Sequence, residues 1–193
     1  VLPNAQQFDP ADPKYKPFYR ALADRKLPFL SHVGYEFSLI GKDQSVGEPD
    51  RLRVALDEGA TVIAAHACSY GLILFEKFLP TLRDLMRCYP NFYADISALT
   101  LPNRFRMLLH LRNYPDIHER LLFGTDYPLS VFHIAAWGRV AFGTLRRMMQ
   151  TKNRFDRQVE GCNGLKLGFR SLGDILSRSE EHTSELQSRG LIS

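Results

Sequence analysis

Four polar side chains close four apolar runs: His32 after PFLS, His66 after VIAA, Asp95 after FYA and Asp126 after LLFGT. They recur about thirty residues apart, the length that one strand–loop–helix–loop unit consumes. Imidazoles and carboxylates that converge in a concave, partly dry site are the donors a divalent metal of the zinc class takes. The chemistry therefore requires that the four groups stand at the same end of one sheet.

The punctuation of the chain supplies the elements that would do this. Apolar runs at Leu27–Val33, Thr61–Cys68, Phe92–Ala98 and Leu121–Tyr127 have the length of buried strands. Between and around them the spacing predicts helices over Lys14–Arg25, Pro49–Glu58, Ile73–Cys88, Asn103–His118 and Ala135–Gln150. Asp12 and Pro13 mark a helix start, Pro80 an entry or break, and Pro115 an interruption. Strands that are apolar on both sides and alternate with helices form a parallel sheet covered by helices. In an eight-stranded barrel of that kind, catalytic residues come from the C-terminal ends of several strands. The segment Tyr35–Gly47, after His32, is long for a connection that usually takes about 2 to 6 residues, and has the makings of a lid.

Each of these residues also has a plainer reading. His32 and His66 can be satisfied core histidines, and Asp126 can cap the turn made with Tyr127 and Pro128. Asp95 suits a loop-anchoring carboxylate better than a reacting one, and Cys68 a small buried hydrophobe. Glu36 and Tyr70 lie in loops that would face a substrate, and His133 follows the fourth strand closely enough to reach the rim. His110 and His118 read as surface residues, and Trp137 as packing.

FLSHVG, VIAAHA with Gly71 following, and above all LLFGTDYP resemble the fifth, sixth and eighth strands of the amidohydrolase-related (amidohydrolase 2 type) branch of the metal-dependent hydrolases. LPN and PADPKYKPFYRAL resemble the loop and helix after the fourth strand of that branch. The resemblance implies an α/β fold, a partial (β/α)8 TIM barrel with about strands 5 to 8 and their helices. It implies that His32 and Asp126 are metal ligands and that Asp126 accepts a proton from the attacking water. His66 would ligate a second metal or, in mononuclear members, orient or deprotonate water. The first-strand His-x-His pair of the family occurs nowhere in this sequence, so the cation, zinc by preference, would be poorly held. The implied activity of the intact parent is hydrolysis of a C–N or C–O bond by metal-activated water. Alternatives are a mononuclear-metal decarboxylase of the same superfamily, or a non-catalytic fragment or binding module. Such a half-barrel leaves two strand edges unpaired.

Residues 178–188, RSEEHTSELQS, resemble the in-frame translation of a synthetic sequencing-adapter oligonucleotide. Residues 1–177 are therefore expected to form the C-terminal half of a barrel, and residues 178–193 an adapter-derived disordered tail. Val1 is not an initiator Met and falls at what reads as a strand end. Across 193 residues the net charge is only +4, and the basic run between Arg139 and Arg170 lacks a nucleic-acid module, so it reads as a solvated outer face. Cys68, Cys88 and Cys162 fit neither a zinc finger nor a disulfide framework, which suggests a reduced, cytoplasmic protein. No apolar run approaches the roughly 18 residues of a membrane span. The expected partner is a small-molecule substrate, with no nucleic acid and no membrane, and a homo-oligomer is open to the intact parent.

Overall fold

The computed structural model describes residues 1–36, 43–72 and 76–175. The tail at residues 178–193, the middle of the long segment after His32, and the start of the helix expected from Ile73 lie outside the described residues.

Four short strands, β1 (Phe29–Ser31), β2 (Val62–Ala64), β3 (Phe92–Asp95) and β4 (Leu121–Leu122), form one parallel sheet in chain order. Phe29 pairs with Val62, Val62 with Phe92, and Ala94 with Leu121. All three steps between neighbouring strands run through helical segments, as the alternation of apolar runs and amphipathic stretches requires. In front of β1 lie α1 (Pro3–Gln6) and α2 (Lys16–Asp24). Between the strands lie α3 (Arg53–Asp57), α4 (Leu79–Cys88) and α5 (Phe105–Leu111). After β4 come α6 (Phe142–Gln150) and α7 (Arg154–Gly164).

One face of the sheet carries the core. Phe29, Val62, Ala64, Phe92, Ala94 and Leu121 pack with Tyr19 of α2, Leu52 and Leu56 beside α3, Leu82 and Leu85 of α4, and Met107 and Leu111 of α5. The alternation of side chains along a strand sends Leu30 to the other face, where it is half exposed. Helices packed on the core face, with Leu30 left half exposed on the other, fit a barrel wall and not a doubly wound sheet.

The expected elements recur in shortened form. Asp12 caps its helix by accepting from Lys14 N, and Pro13 opens the first turn. Pro80 stands in the first turn of α4, so it is an entry. A 3-10 turn, Pro115–Arg120, follows α5 at the predicted interruption. The strands end sooner than the apolar runs do, because the backbone leaves extended geometry at the rim: His66, Ala67 and Cys68 all have positive φ. The sequence reading lacked α1 and α7. It also placed His118 on the surface, whereas the ring is half-buried, with Nε2 3.0 Å from Leu111 O and Nδ1 accepting from Gly168 N.

Both outer strands meet the chain's own backbone. Val1 donates to Leu30 O and accepts from His32 N. On the far side Arg170 donates to Leu121 O, accepts from Phe123 N and forms a parallel bridge with Leu122.

Candidate active site at the C-terminal rim

A cavity of about 490 Å³ opens where the four strands end. Its polar lining includes Gln6, His32, Glu36, His66, Asp95, Ser97, Thr125 and Asp126, with Leu30 and Ala65 among the apolar residues. His32 follows the last residue of β1 directly and is 5% exposed. His66 stands two residues past β2 and is 6% exposed. Their rings meet edge-on with centroids 5.1 Å apart.

His66 is fixed by its neighbour strand. Asp95 Oδ1 accepts from His66 N at 2.9 Å, from Ser97 N at 3.0 Å and from Ser97 Oγ at 2.5 Å. With its own proton committed to Asp95, Ser97 Oγ can only accept from His66 Nδ1, 2.8 Å away, as can Ser97 O at 3.1 Å. Nδ1 therefore carries the ring proton, which leaves the Nε2 lone pair free to face the cavity. There it lies 3.9 Å from Asp126 Oδ2. The same contacts explain the left-handed backbone at His66 (φ 56°): the amide is turned to the Asp95 carboxylate instead of along the strand.

His32 presents the sharper anomaly. Its Nε2 is buried without a hydrogen-bond partner, and the nearest carboxylate oxygen, Glu36 Oε2, is 3.7 Å away. A buried nitrogen with a lone pair and no donor is a group that awaits a ligand. Burial, reinforced by the charge of Arg104, lowers its pKa to about 4, and the same two causes with His32 itself hold His66 well below the ordinary imidazole range. Both rings are thus neutral, the state in which imidazole binds metals.

The carboxylate side is built differently. Gly124 passes so close to β3 that an added Cβ would stand 3.1 Å from Ser97 Cβ and 3.2 Å from Asp95 Cγ, so a side chain at this point of the LLFGTDYP run would press on both residues. Two residues on, Asp126 adopts φ 53°, a conformation that aspartate tolerates, and Leu129 N donates to its carbonyl to close the turn. Burial raises the pKa of Asp126, Arg104 opposes the rise, and Glu36 adds to it. Asp95 is raised by burial too.

Arg104, just before α5, is buried beneath the rim and donates to Ser69 O at 3.1 Å and Tyr35 O at 3.3 Å. It ties the segment after β1 to that after β2. Gly34 (φ +95°) completes the joint, since a side chain there would run into the carbonyl of Ser69.

Of the residues singled out from sequence, His32, Glu36, His66, Asp95 and Asp126 line the one cavity. Two do not. Tyr70 lies against Tyr35 and Phe78, with ring centroids 4.6 and 5.2 Å away, and its amide is held by Glu76; it lines a separate, smaller cavity with Gly47 and Glu48. His133 is exposed at the start of a 3-10 turn, because the chain after Asp126 turns outward before reaching it. Ser97 and Arg104 went unread. The Asp-x-Ser spacing of Asp95 and Ser97 was a usable signal for the first, whereas an arginine beside a proline-containing loop gives none, since such residues are mostly exposed.

A model of the amidohydrolase family matches residues 1–145. The chain belongs to the amidohydrolase family. A TIM-barrel protein of uncharacterised function from Bordetella bronchiseptica is similar in structure, with TM-score 0.51 and 17% identity, over 81% of this chain and 50% of that one. The amidohydrolase chain thus spans about half the length of that barrel, and its sheet is a partial barrel wall. No curated protein matches it. Members of the amidohydrolase family usually bind a divalent metal. Here the orphaned Nε2 of His32 and the neutral imidazoles suit one, but the described residues hold no group of three or more His, Cys, Asp or Glu that could hold the ion alone. Donor type fits, and donor number among the described residues falls short of a full shell. No helix among the described residues is long and apolar enough to cross a membrane.

Proposed function

We propose that these residues are the C-terminal half of a metal-dependent hydrolase that cleaves a C–N or C–O bond of a small-molecule substrate. The observation that carries the reading is the buried, unpartnered Nε2 of His32, opening on the cavity that His66 and Asp126 also line. A divalent cation, zinc by preference, would supply an acidic water and polarise the scissile carbonyl. His32 and Asp126 would hold part of its shell, with the remaining donors on the strands that precede Val1 in the parent. Asp126, with its pKa raised by burial, takes the proton from water and passes it to the leaving group. His66 keeps its Nδ1 proton on Ser97 and turns Nε2 to the same space, where it orients the water or shares its proton. Asp95 holds His66 in place by accepting from its amide.

The test is made on the full-length parent, loaded with zinc and assayed on amide, ester and carboxylated conjugated substrates. Asp126→Asn should lower turnover by about 10² to 10⁴ with the protein still folded. Unchanged turnover would remove Asp126 from the mechanism, and release of CO₂ in place of hydrolysis would assign the decarboxylase reaction.

A further inference from the structure

The helix α7 lies beyond the residues matched by the family model and in the basic stretch that reads from sequence as solvated surface. Its buried residues are Gln158, Gly161 and Cys162, the i, i+3, i+4 stripe of a core-facing helix. Gly161 and Gly164 let it lie directly on α6: an added Cβ at the first would meet Met148 Cε at 2.8 Å, and at the second Thr144 Cγ2 at 2.5 Å. Gln158 is the anomaly in this stripe. It is an amide only 3% exposed, and a buried amide must find partners.

Its partners are the two strand ends that carry the acidic half of the site. Gln158 Nε2 donates to Gly124 O at 2.9 Å and to Ile96 O at 3.2 Å. Ile96 directly follows Asp95, and Gly124 stands two residues before Asp126. One turn earlier, Arg154 Nη1 donates to Pro128 O at 2.6 Å and reaches Leu129 O at 3.4 Å, while its guanidinium lies 5.4 Å from the centre of the Tyr127 ring. Phe155 meets the Tyr127 ring edge-on, 6.2 Å between ring centroids. The turn that presents Asp126 is therefore held before it by Gln158 and behind it by Arg154, both from the same face of one helix.

We infer that α7 is a brace for the site: Gln158 and Arg154 are positioning residues that set the distance of Asp126 from His66 by holding the turn between Gly124 and Leu129. The catalytic consequence rests on the reading of Asp126 given above, but the brace itself does not. The amide of Leu129 donates to Asp126 O and reports the turn directly. The amide of Val62, bonded to Asn91 O, reports the sheet.

Hydrogen exchange on the full chain tests this. Gln158→Met keeps the volume and removes the donor, and should lower the protection of Leu129 by about tenfold while Val62 is unchanged. Gln158→Glu adds a readout that simple packing would not move. The neutral carboxyl can still donate whereas the carboxylate faces two carbonyls, so Leu129 protection, corrected for intrinsic rate, should fall as pH rises. Asp126→Asn should leave Leu129 protected, so a failure of the catalytic reading is separable from a failure of the brace. Equal Leu129 protection in wild type and Gln158→Met overturns the inference. If Gln158→Met unfolds, shown by loss at Val62, the less buried variant Arg154→Ala decides: loss confined to Leu129 supports the brace and unchanged protection overturns it.

Discussion

His32 and His66 sit almost fully enclosed in the cavity wall, whereas Asp126 stands at its mouth with 41% of its side chain exposed. The imidazoles are set by their own sheet. They follow strands whose ends are fixed by pairing, and Asp95, Ser97 and Arg104 anchor the backbone and ring from within. The carboxylate follows a two-residue strand and is steadied from outside by α7. Burial fixes the orientation and the neutral state of the imidazoles, at a cost in stability that appears only as pH falls below the ordinary imidazole range. Exposure leaves Asp126 free to exchange protons, and makes its position depend on a brace.

The contrast is broken most severely at Asp95. This carboxylate takes three donors, two of them backbone amides, and its removal in Asp95→Ala leaves them all without an acceptor. Urea unfolding of the full chain should show a loss on the order of 4 kcal/mol. A loss no larger than that of an ordinary surface substitution would mean that the bonds to Asp95 are not what fixes His66.

The histidine side is sharpened by pH. The His32 pKa of about 4 lies below the ordinary 6.5, so between these values the unfolded chain binds the proton and the folded chain does not. The neutral ring's contribution is complete above pH 6.5, declines as pH falls and is gone once pH passes the folded value near 4. Asp95, Asp126 and Glu76, all raised by burial, act with the opposite sign in the carboxylate range. Comparing chelator-treated wild type with His32→Gln isolates the ring. Their difference in unfolding free energy should change by on the order of 3 kcal/mol between pH 7 and pH 4. Parallel pH curves would show that His32 is not held neutral.

This division also explains what could be read from the chain. The apolar runs announced the strands and their order, and the step between polar residues announced that His32, His66, Asp95 and Asp126 share a rim, because strand ends repeat with the folding unit. The supports were harder to see. Ser97 is marked only by its Asp-x-Ser spacing from Asp95, and Arg104 acts through backbone carbonyls, a geometry that no residue pattern specifies. The helix α7 was missed because its buried stripe is made of Gln158, Gly161 and Cys162, which carry little hydrophobic signal. Asn153, whose side chain accepts from Phe155 N, was the available mark of its start. Tyr70 and His133 were placed at the site by sequence distance alone, and a loop can turn away within a few residues, as both of theirs do.

The smallest effect should come from Asp126→Asn, which puts the comparison in its sharpest form. Asparagine adopts left-handed backbone as readily as aspartate, so the turn at φ 53° is kept, and the backbone bond from Leu129 does not involve the side chain. The nearest ionisable partner, His66 Nε2, is 3.9 Å away and belongs to a neutral ring, so no ion pair is lost. Urea unfolding should shift by no more than about 0.5 kcal/mol, as at surface positions generally. Two aspartates at neighbouring strand ends would then differ about eightfold in their contribution to stability. A loss at Asp126 comparable with that at Asp95 would show that the exposed carboxylate is as much a part of the scaffold as the buried one, and the division between the two sides would fall.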